Sequence, residues 1–131
     1  MTEGKKNVHV DGFESSSFFE QIQEALENKD TRSQILSKFN KVFEFNVDGK
    51  QTWTLDFKDN ESAGVYVGKS KNSPDCVLTM SDKVCNDVMS GKKNPQVAFF
   101  GGELKMSGDI MLGLSLQELR KYQGGAPVSK L

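Results

Sequence analysis

The chain has 131 residues, a length that suits a single domain. Hydrophobic residues make up 36% of it, which is enough for a core and too much for a disordered chain. The 17 basic and 18 acidic residues are interspersed and give a net charge of −1, which argues against nucleic-acid binding because that function needs a concentrated basic face.

The first predicted elements are two helices. Phe18, Ile22 and Leu26 recur at helical spacing behind a run of serines that can cap the helix. Thr31 is predicted to start the second helix, with Gln34 three residues later as in a capping box.

Two strands joined by a tight turn are predicted next, because apolar residues recur at every second position. Asp48 and Gly49 interrupt this pattern and predict a hairpin, since both central residues of the favoured turn need positive φ. The polar alternates, among them Glu44 and Asp56, are expected on a solvent-exposed sheet face.

Two further strands, at residues 65–67 and 76–80, are predicted to complete this part of the sheet. A helix follows them, capped by Ser81 or Asp82 and ended by Gly91.

The last predicted elements are a short helix, a strand and a longer helix. The Asn-Pro pair at 94–95 has the order of an N-cap followed by an N1 proline, and the glycines at 101–102 stop this helix. A strand is expected at 104–107, after which Asp109 caps a helix that runs to about Tyr122. The element order α-α-β-β-β-β-α-α-β-α predicts an α+β fold, with helices on one face of a mostly antiparallel sheet.

The residue types that usually carry catalysis are poorly represented. The only histidine, His9, lies in an expected N-terminal arm, and Cys76 and Cys85 fall on predicted apolar faces as buried free thiols. Neither metal-ligand spacing nor a phosphate-binding loop is present in the sequence. We therefore expect a protein that is not an enzyme and holds no metal or cofactor.

The final predicted helix is more apolar than a surface helix usually is. At about 100° per residue its apolar side chains cover roughly 240° of the circumference, where an ordinary surface helix needs about 100–150°. Two explanations stay open: the helix is buried between layers, or it borders a cavity under helices that can separate. The residues of this arc are Ile110, Met111, Leu112, Leu114, Leu116, Leu119 and Tyr122.

The last three residues, Ser129, Lys130 and Leu131, form a separate signal. Ser-Lys-Leu at a C-terminus is a receptor-read peroxisomal address. It follows a segment containing glycine and proline that is expected to be flexible. This motif predicts a peroxisomal location and a peroxisomal import receptor as a partner.

The segment "MSGKKNPQVAFFGGELKMSGDIMLGLSLQEL", residues 89–119, resembles the sterol carrier protein 2 family, the nonspecific lipid-transfer domain. The segments "TWTLDFK" and "DCVLTMS" and the terminal signal fit the same family, so the resemblance covers about residues 10–131. The chain departs from the family pattern at Gly101, where a bulkier polar residue is common.

The resemblance implies a five-stranded sheet covered on one face by about five helices, which enclose a hydrophobic tunnel. Residues 1–9 would form a flexible arm, 10–123 the lipid-binding domain, and 124–131 a flexible tail with the targeting signal. Without the thiolase or dehydrogenase domains to which this module is often fused, the chain looks like a stand-alone carrier.

Candidate ligand contacts come from the helix stripe near the N-terminus and from the segment that carries the resemblance. The stripe contributes Phe18, Ile22 and Leu26. The resemblance implies a tunnel lining of Phe99, Phe100, Met106, Met111, Leu112, Leu114, Leu116 and Leu119, with Gln117 as a polar contact at its edge.

The leading hypothesis is a monomeric, non-enzymatic carrier of fatty acids, fatty acyl-CoAs or sterols. Lys92 and Lys93 are candidates for an acyl-CoA phosphate or for transient contact with an anionic membrane. Two other classes stay open: a small enzyme acting on acyl-CoA or steroid ligands, and a peroxisomal protein-interaction adaptor.

Overall fold

The computed structural model describes residues 8–58, 63–71 and 73–119, which form five helices and five strands in the predicted order. Among these residues no helix is long and apolar enough to cross a membrane. The elements are α1 (Ser16–Ala25), α2 (Lys29–Phe39), β1 (Val42–Val47), β2 (Gln51–Asp56), β3 (Gly64–Val67), β4 (Cys76–Met80), α3 (Asp82–Ser90), α4 (Pro95–Phe100), β5 (Lys105–Gly108) and α5 (Ile110–Leu114).

The five strands form one sheet in the order β3-β2-β1-β4-β5. Only the β1–β4 pair is parallel, so the prediction of a mostly antiparallel α+β sheet is confirmed. The predicted hairpin turn between β1 and β2 is also confirmed, because Asp48 and Gly49 have φ values of 57° and 65°. Both values lie in the left-handed region that this turn requires.

The core lies between the inner sheet face and the helices. Phe19 of α1 stacks on Trp53 of β2 with ring centroids 4.4 Å apart, and it meets Phe45 of β1 edge-on at 5.2 Å. The Trp53 indole N–H donates a 2.8 Å hydrogen bond to the carbonyl oxygen of Val8, whose side chain is itself buried. Val8 is thus packed against the core, although it falls within the expected N-terminal arm.

The outer face of the sheet is covered where it was expected to be exposed. Glu44 and Asp56 are only 8% and 3% exposed, so the prediction that they face solvent is wrong. For Glu44 the reason is the segment after β3, which folds back across this part of the face. There Ser70 donates two 3.3 Å hydrogen bonds to the Glu44 carboxylate, from its N–H and its hydroxyl, and the Thr54 hydroxyl donates to the Gly68 carbonyl at 2.8 Å.

Two helix boundaries differ from the predictions. The cap of α2 is Asn28, whose side chain accepts a hydrogen bond from the Thr31 N–H, so the predicted start at Thr31 is wrong. The last α-helix ends at Leu114, and a 3₁₀ segment follows it at 115–119, so the prediction of one continuous helix is also wrong. Its predicted end at Tyr122 lies outside the described residues.

The 3₁₀ segment explains how part of the wide apolar arc is buried. With three residues per turn, side chains three positions apart point the same way. Leu116 and Leu119 therefore both enter the core, where they are 1% and 0% exposed. Met111, which lies in α5 before the 3₁₀ segment, is left 74% exposed.

Candidate functional site

Helices α4 and α5 border a cleft of about 220 Å³. Two side-chain caps hold the ends of these helices. The Asn94 side-chain oxygen accepts hydrogen bonds from the N–H groups of Gln96 and Val97 at 2.7 and 3.4 Å, and Asp109 accepts one from Leu112 N–H at 3.0 Å. The cleft is lined by Pro95, Gln96, Met111, Leu114, Ser115 and Gln117.

Two glycines bring α5 close to strands β4 and β5. Gly108 has φ of +88°, and a Cβ placed there would overlap the carbonyl oxygen of Asp75. A Cβ on Gly113 would lie 2.5 Å from the Met106 sulfur and 2.9 Å from the Cys76 sulfur. The absence of side chains at these two positions therefore sets how deeply α5 sits on the sheet.

An ion pair joins the two ends of α4. The Lys93 ammonium, before the helix, lies 2.7 Å from a Glu103 carboxylate oxygen after it. This hydrogen bond and the attraction of the same carboxylate raise the pKa of Lys93. The N–H groups of Glu103 and Leu104 also both donate to the Ala98 carbonyl, at 2.9 and 3.1 Å. These contacts make α4 a short, closed unit with Ala98 fully buried at its base.

The residues predicted to contact a ligand fall into four groups in the structure. Met111, Leu114 and Gln117 line the cleft. The partly buried side chains packed against the core are Phe99, Met106 and Leu112. Those inside the core, none more than 6% exposed, are Phe18, Ile22, Leu26, Leu116 and Leu119. Phe100 stands apart at 78% exposure.

Three cleft residues were not among the predicted contacts: Pro95, Gln96 and Ser115. The Asn-Pro pair was recognised as a helix start, and that signal located α4 without indicating which helix it would face. Ser115 donates to the Leu112 carbonyl at 2.6 Å, at the point where α5 gives way to the 3₁₀ segment. No local sequence pattern predicts the change from α-helix to 3₁₀ geometry at this point.

A second cleft, of about 330 Å³, lies beside α2 and has a different lining. Most of its side chains are polar, which does not suit an acyl chain. The lining residues are Ser33, Leu36, Ser37, Asn40, Phe57 and Lys58. The α4–α5 cleft is therefore the better candidate for an apolar ligand.

The two cysteines are buried and unpaired, as expected. Burial, with a smaller contribution from the Asp109 carboxylate, raises the pKa of Cys76 from 9.0 to about 11. Burial raises the pKa of Cys85 to about 12. Because the thiolate is the nucleophile, neither side chain is suited to covalent catalysis near neutral pH.

These pKa values lead to a testable expectation. At pH 8 both thiols should react with an aromatic disulfide reagent at least about 100-fold more slowly in the folded protein than in the urea-unfolded protein, because the thiolate fraction is so low. The raised pKa values mean that the folded state favours the neutral thiols. The stability that depends on these neutral thiols is fully present below pH 9, and it is lost as the pH rises through 11 to 12. Equal reaction rates in the two states would contradict the buried placement.

His9 lies outside the cleft and forms surface contacts. Its imidazole is 2.9 Å from Asp11 and 2.6 Å from Glu20, and these hydrogen bonds raise its pKa. Within the described ranges, no group of three or more histidine, cysteine or acidic side chains is placed to hold a metal ion.

The two helices and the cleft between them indicate the class of protein to which the chain belongs. Neither α4 (PQVAFF) nor α5 (IMLGL) carries a charged residue. The two helices border a cleft, and the apolar core lies between the helices and the inner face of the sheet. A domain of this kind is suited to a lipid ligand.

The model of the SCP-2 sterol transfer family matches residues 19–121, and the chain belongs to this family. The resemblance in the sequence is thereby confirmed.

Individual relatives agree with this assignment. Bovine sterol carrier protein 2 is 38% identical over 122 residues, covering 89% of this chain and 22% of the bovine protein. The peroxisomal multifunctional enzyme A of Dictyostelium discoideum is 35% identical over 116 residues, covering 86% of this chain and 26% of the enzyme. The chain thus spans about a quarter or less of the length of these curated relatives.

A solved structure shows the same fold. The apo form of sterol carrier protein 2 from Yarrowia lipolytica is similar with a TM-score of 0.80 at 28% identity. The alignment covers 92% of this chain and 100% of the yeast chain. Together with the family match, this likeness supports a lipid-binding domain of the sterol carrier type.

Proposed function

We propose that this chain carries fatty acids, fatty acyl-CoAs or sterols and transfers them without catalysing a reaction. The observation that carries the proposal is the α4–α5 cleft, which no charged side chain lines and to which Pro95, Met111 and Leu114 contribute apolar surface. An acyl chain that leaves water for such a site gains about 0.8 kcal/mol per CH₂ group. Apolar walls discriminate weakly between chains of similar shape, so one site can serve several lipids.

The size of the cleft indicates how a lipid enters. At about 220 Å³ it is smaller than the roughly 300–1,000 Å³ of ligand pockets in general. A whole lipid therefore requires α5 and the 3₁₀ segment to move away from the sheet. In this proposal Leu114, which lines the cleft, contacts the acyl chain first, and Leu116 and Leu119 then exchange their core contacts for contacts with the lipid.

The polar end of the lipid has candidate partners at the mouth of the cleft. Gln96 and Gln117 both line it and are exposed, and each carries an amide that can donate and accept hydrogen bonds. Lys92 is exposed in the loop before α4 and is the candidate partner for an acyl-CoA phosphate.

The carrier proposal is tested by mass spectrometry of the native protein together with displacement of a fluorescent fatty acid. We expect co-purifying lipid and saturable displacement. A protein that carries no lipid and binds no fatty acid would contradict the proposal. A stable protein complex that survives delipidation would favour an adaptor, and turnover of an acyl-CoA or a steroid ketone would favour an enzyme.

We also propose a peroxisomal location, on the strength of Ser129, Lys130 and Leu131, which lie outside the described residues. Deleting these three residues is expected to abolish import of the protein into peroxisomes, because the receptor reads the terminal tripeptide. The fatty-acid affinity of the shortened chain should stay within twofold of the affinity of the full chain. Microscopy of a tagged chain and a displacement assay check the two expectations, and loss of lipid binding would contradict the assignment of the tail as an address only.

A further inference from the structure

The outer surface of α4 and α5 exposes large apolar side chains. Val97 and Phe100 lie three positions apart on one side of α4 and are 62% and 78% exposed, and Met111 of α5 is 74% exposed. The only other exposed large hydrophobic residue in the described part of the chain is Val67 on β3, which is less exposed, at 41%. We call Val97, Phe100 and Met111 the apolar rim.

The charge around the apolar rim suits a lipid surface. Neither helix itself carries a charged residue, so insertion of the rim side chains desolvates no charge of α4 or α5. One carboxylate, that of Asp109, is exposed at the N-cap of α5 two residues before Met111. Lys92 is exposed two residues before the Asn94 cap, where it can meet an anionic headgroup. The ammonium of the neighbouring Lys93 is already paired with the Glu103 carboxylate.

The rim is held out from the domain by the structure of α4. The Lys93–Glu103 ion pair and the bonds to the Ala98 carbonyl close the ends of the helix, while Ala98 and Pro95 are buried beneath it. Val97 and Phe100 therefore cannot turn inward without unwinding α4. Exposed apolar side chains on such a fixed support mark an interaction surface.

We propose that the apolar rim is the surface by which this chain docks on a lipid bilayer. Met111 belongs both to the rim and to the lining of the cleft, so a docked bilayer lies against the opening through which a lipid passes. A second copy of the chain on the same surface would instead close that opening. The inference rests on the proposed function, because it treats the cleft as the entrance for a lipid.

The test compares two variants with the same substitution. Val97→Glu places a carboxylate in the rim at the third position of α4, where glutamate favours the helix, so folding is retained. Val67→Glu places the same carboxylate on the exposed valine of β3. Co-sedimentation with vesicles of phosphatidylcholine and phosphatidylserine, 4:1, should show at least a fivefold loss of binding for V97E and less than a twofold loss for V67E. Circular dichroism checks folding, and V97S provides an uncharged alternative.

Several results would overturn the docking proposal. Equal binding of wild type, V97E and V97S to the vesicles would do so, as would no binding by the wild type. A concentration-dependent dimer that V97E dissociates would assign the rim to a second copy. Fatty-acid binding measured without vesicles separates this proposal from the proposed function. Retained fatty-acid binding in V97E with lost vesicle binding supports docking, whereas a wild type that binds no fatty acid overturns the carrier function itself.

Discussion

Replacing Gly108 with alanine is expected to lower the free energy of unfolding by about 2–5 kcal/mol. Two effects add: a non-glycine residue at φ of +88° costs about 1–2 kcal/mol, and forcing extra atoms into a packed site costs about 1–3 kcal/mol more. The new methyl group would overlap the backbone carbonyl of Asp75, which cannot rotate away as a side chain can. It would also disturb the 2.9 Å hydrogen bond from Asp109 N–H to the same carbonyl.

A matched control separates these two effects. Gly102 has a similar φ of +84° but nothing within 4 Å of an added Cβ, so Gly102→Ala should cost only the backbone component, about 1–2 kcal/mol. Urea unfolding followed by circular dichroism measures both variants. If G108A were no less stable than G102A, the close approach of β5 to Asp75 would be wrong, and with it the seating of α5.

Replacing Leu114 with glutamate is expected to weaken fatty-acid binding at least tenfold. Leu114 lines the cleft and is half-buried there. Loss of contact with only two CH₂ groups of a ligand corresponds to about 1.6 kcal/mol, which is already more than the 1.4 kcal/mol of a tenfold change. The introduced carboxylate adds a desolvation cost and repels the carboxylate of the fatty acid.

Leu36→Glu provides the control for this variant. Leu36 is also a partly buried helical leucine, but it belongs to α2 and lines the polar cleft. We expect L36E to bind a fluorescent fatty acid within about threefold of the wild type, provided circular dichroism shows that both variants are folded. Comparable affinities for L114E and the wild type would place the lipid elsewhere in the domain.

The parts of the fold that were predicted correctly depend on residues close together in the chain. The Asp48-Gly49 turn, the Asn94 cap before Pro95 and the Asp109 cap each act within three or four residues, and the structure contains all three. The element order followed from the same local signals. The α2 start is the exception, because Asn28 and Thr31 both have capping side chains and only the backbone conformation at Asn28 decides between them.

The features that the sequence did not predict depend on contacts between distant segments. Ser70 reaches Glu44 across 26 positions and buries a carboxylate that the alternating pattern assigned to solvent. Gly108 meets the Asp75 carbonyl beside the β4–β5 pair, a contact that no local pattern in the sequence indicates.

The candidate site was predicted only in part for the same kind of reason. The sequence prediction treated the final segment as one α-helix with a rotation of about 100° per residue, and it therefore placed all the apolar side chains on a single wide arc. The change to 3₁₀ geometry after Leu114 sends Leu116 and Leu119 into the core and leaves Met111 in solvent. The composition of the segment therefore indicated an apolar ligand, while the backbone decides which of its residues line the cleft.

The most direct test of the carrier account is an NMR titration of the ¹⁵N-labelled chain with palmitate. We expect saturable amide shift changes concentrated at residues 95–100 and 110–119, because both helices border the cleft and α5 must move to admit the acyl chain. Strand β3, on the far edge of the sheet, should change little. An absence of shift changes at excess palmitate, or changes concentrated on β3 and the polar cleft beside α2, would contradict the account.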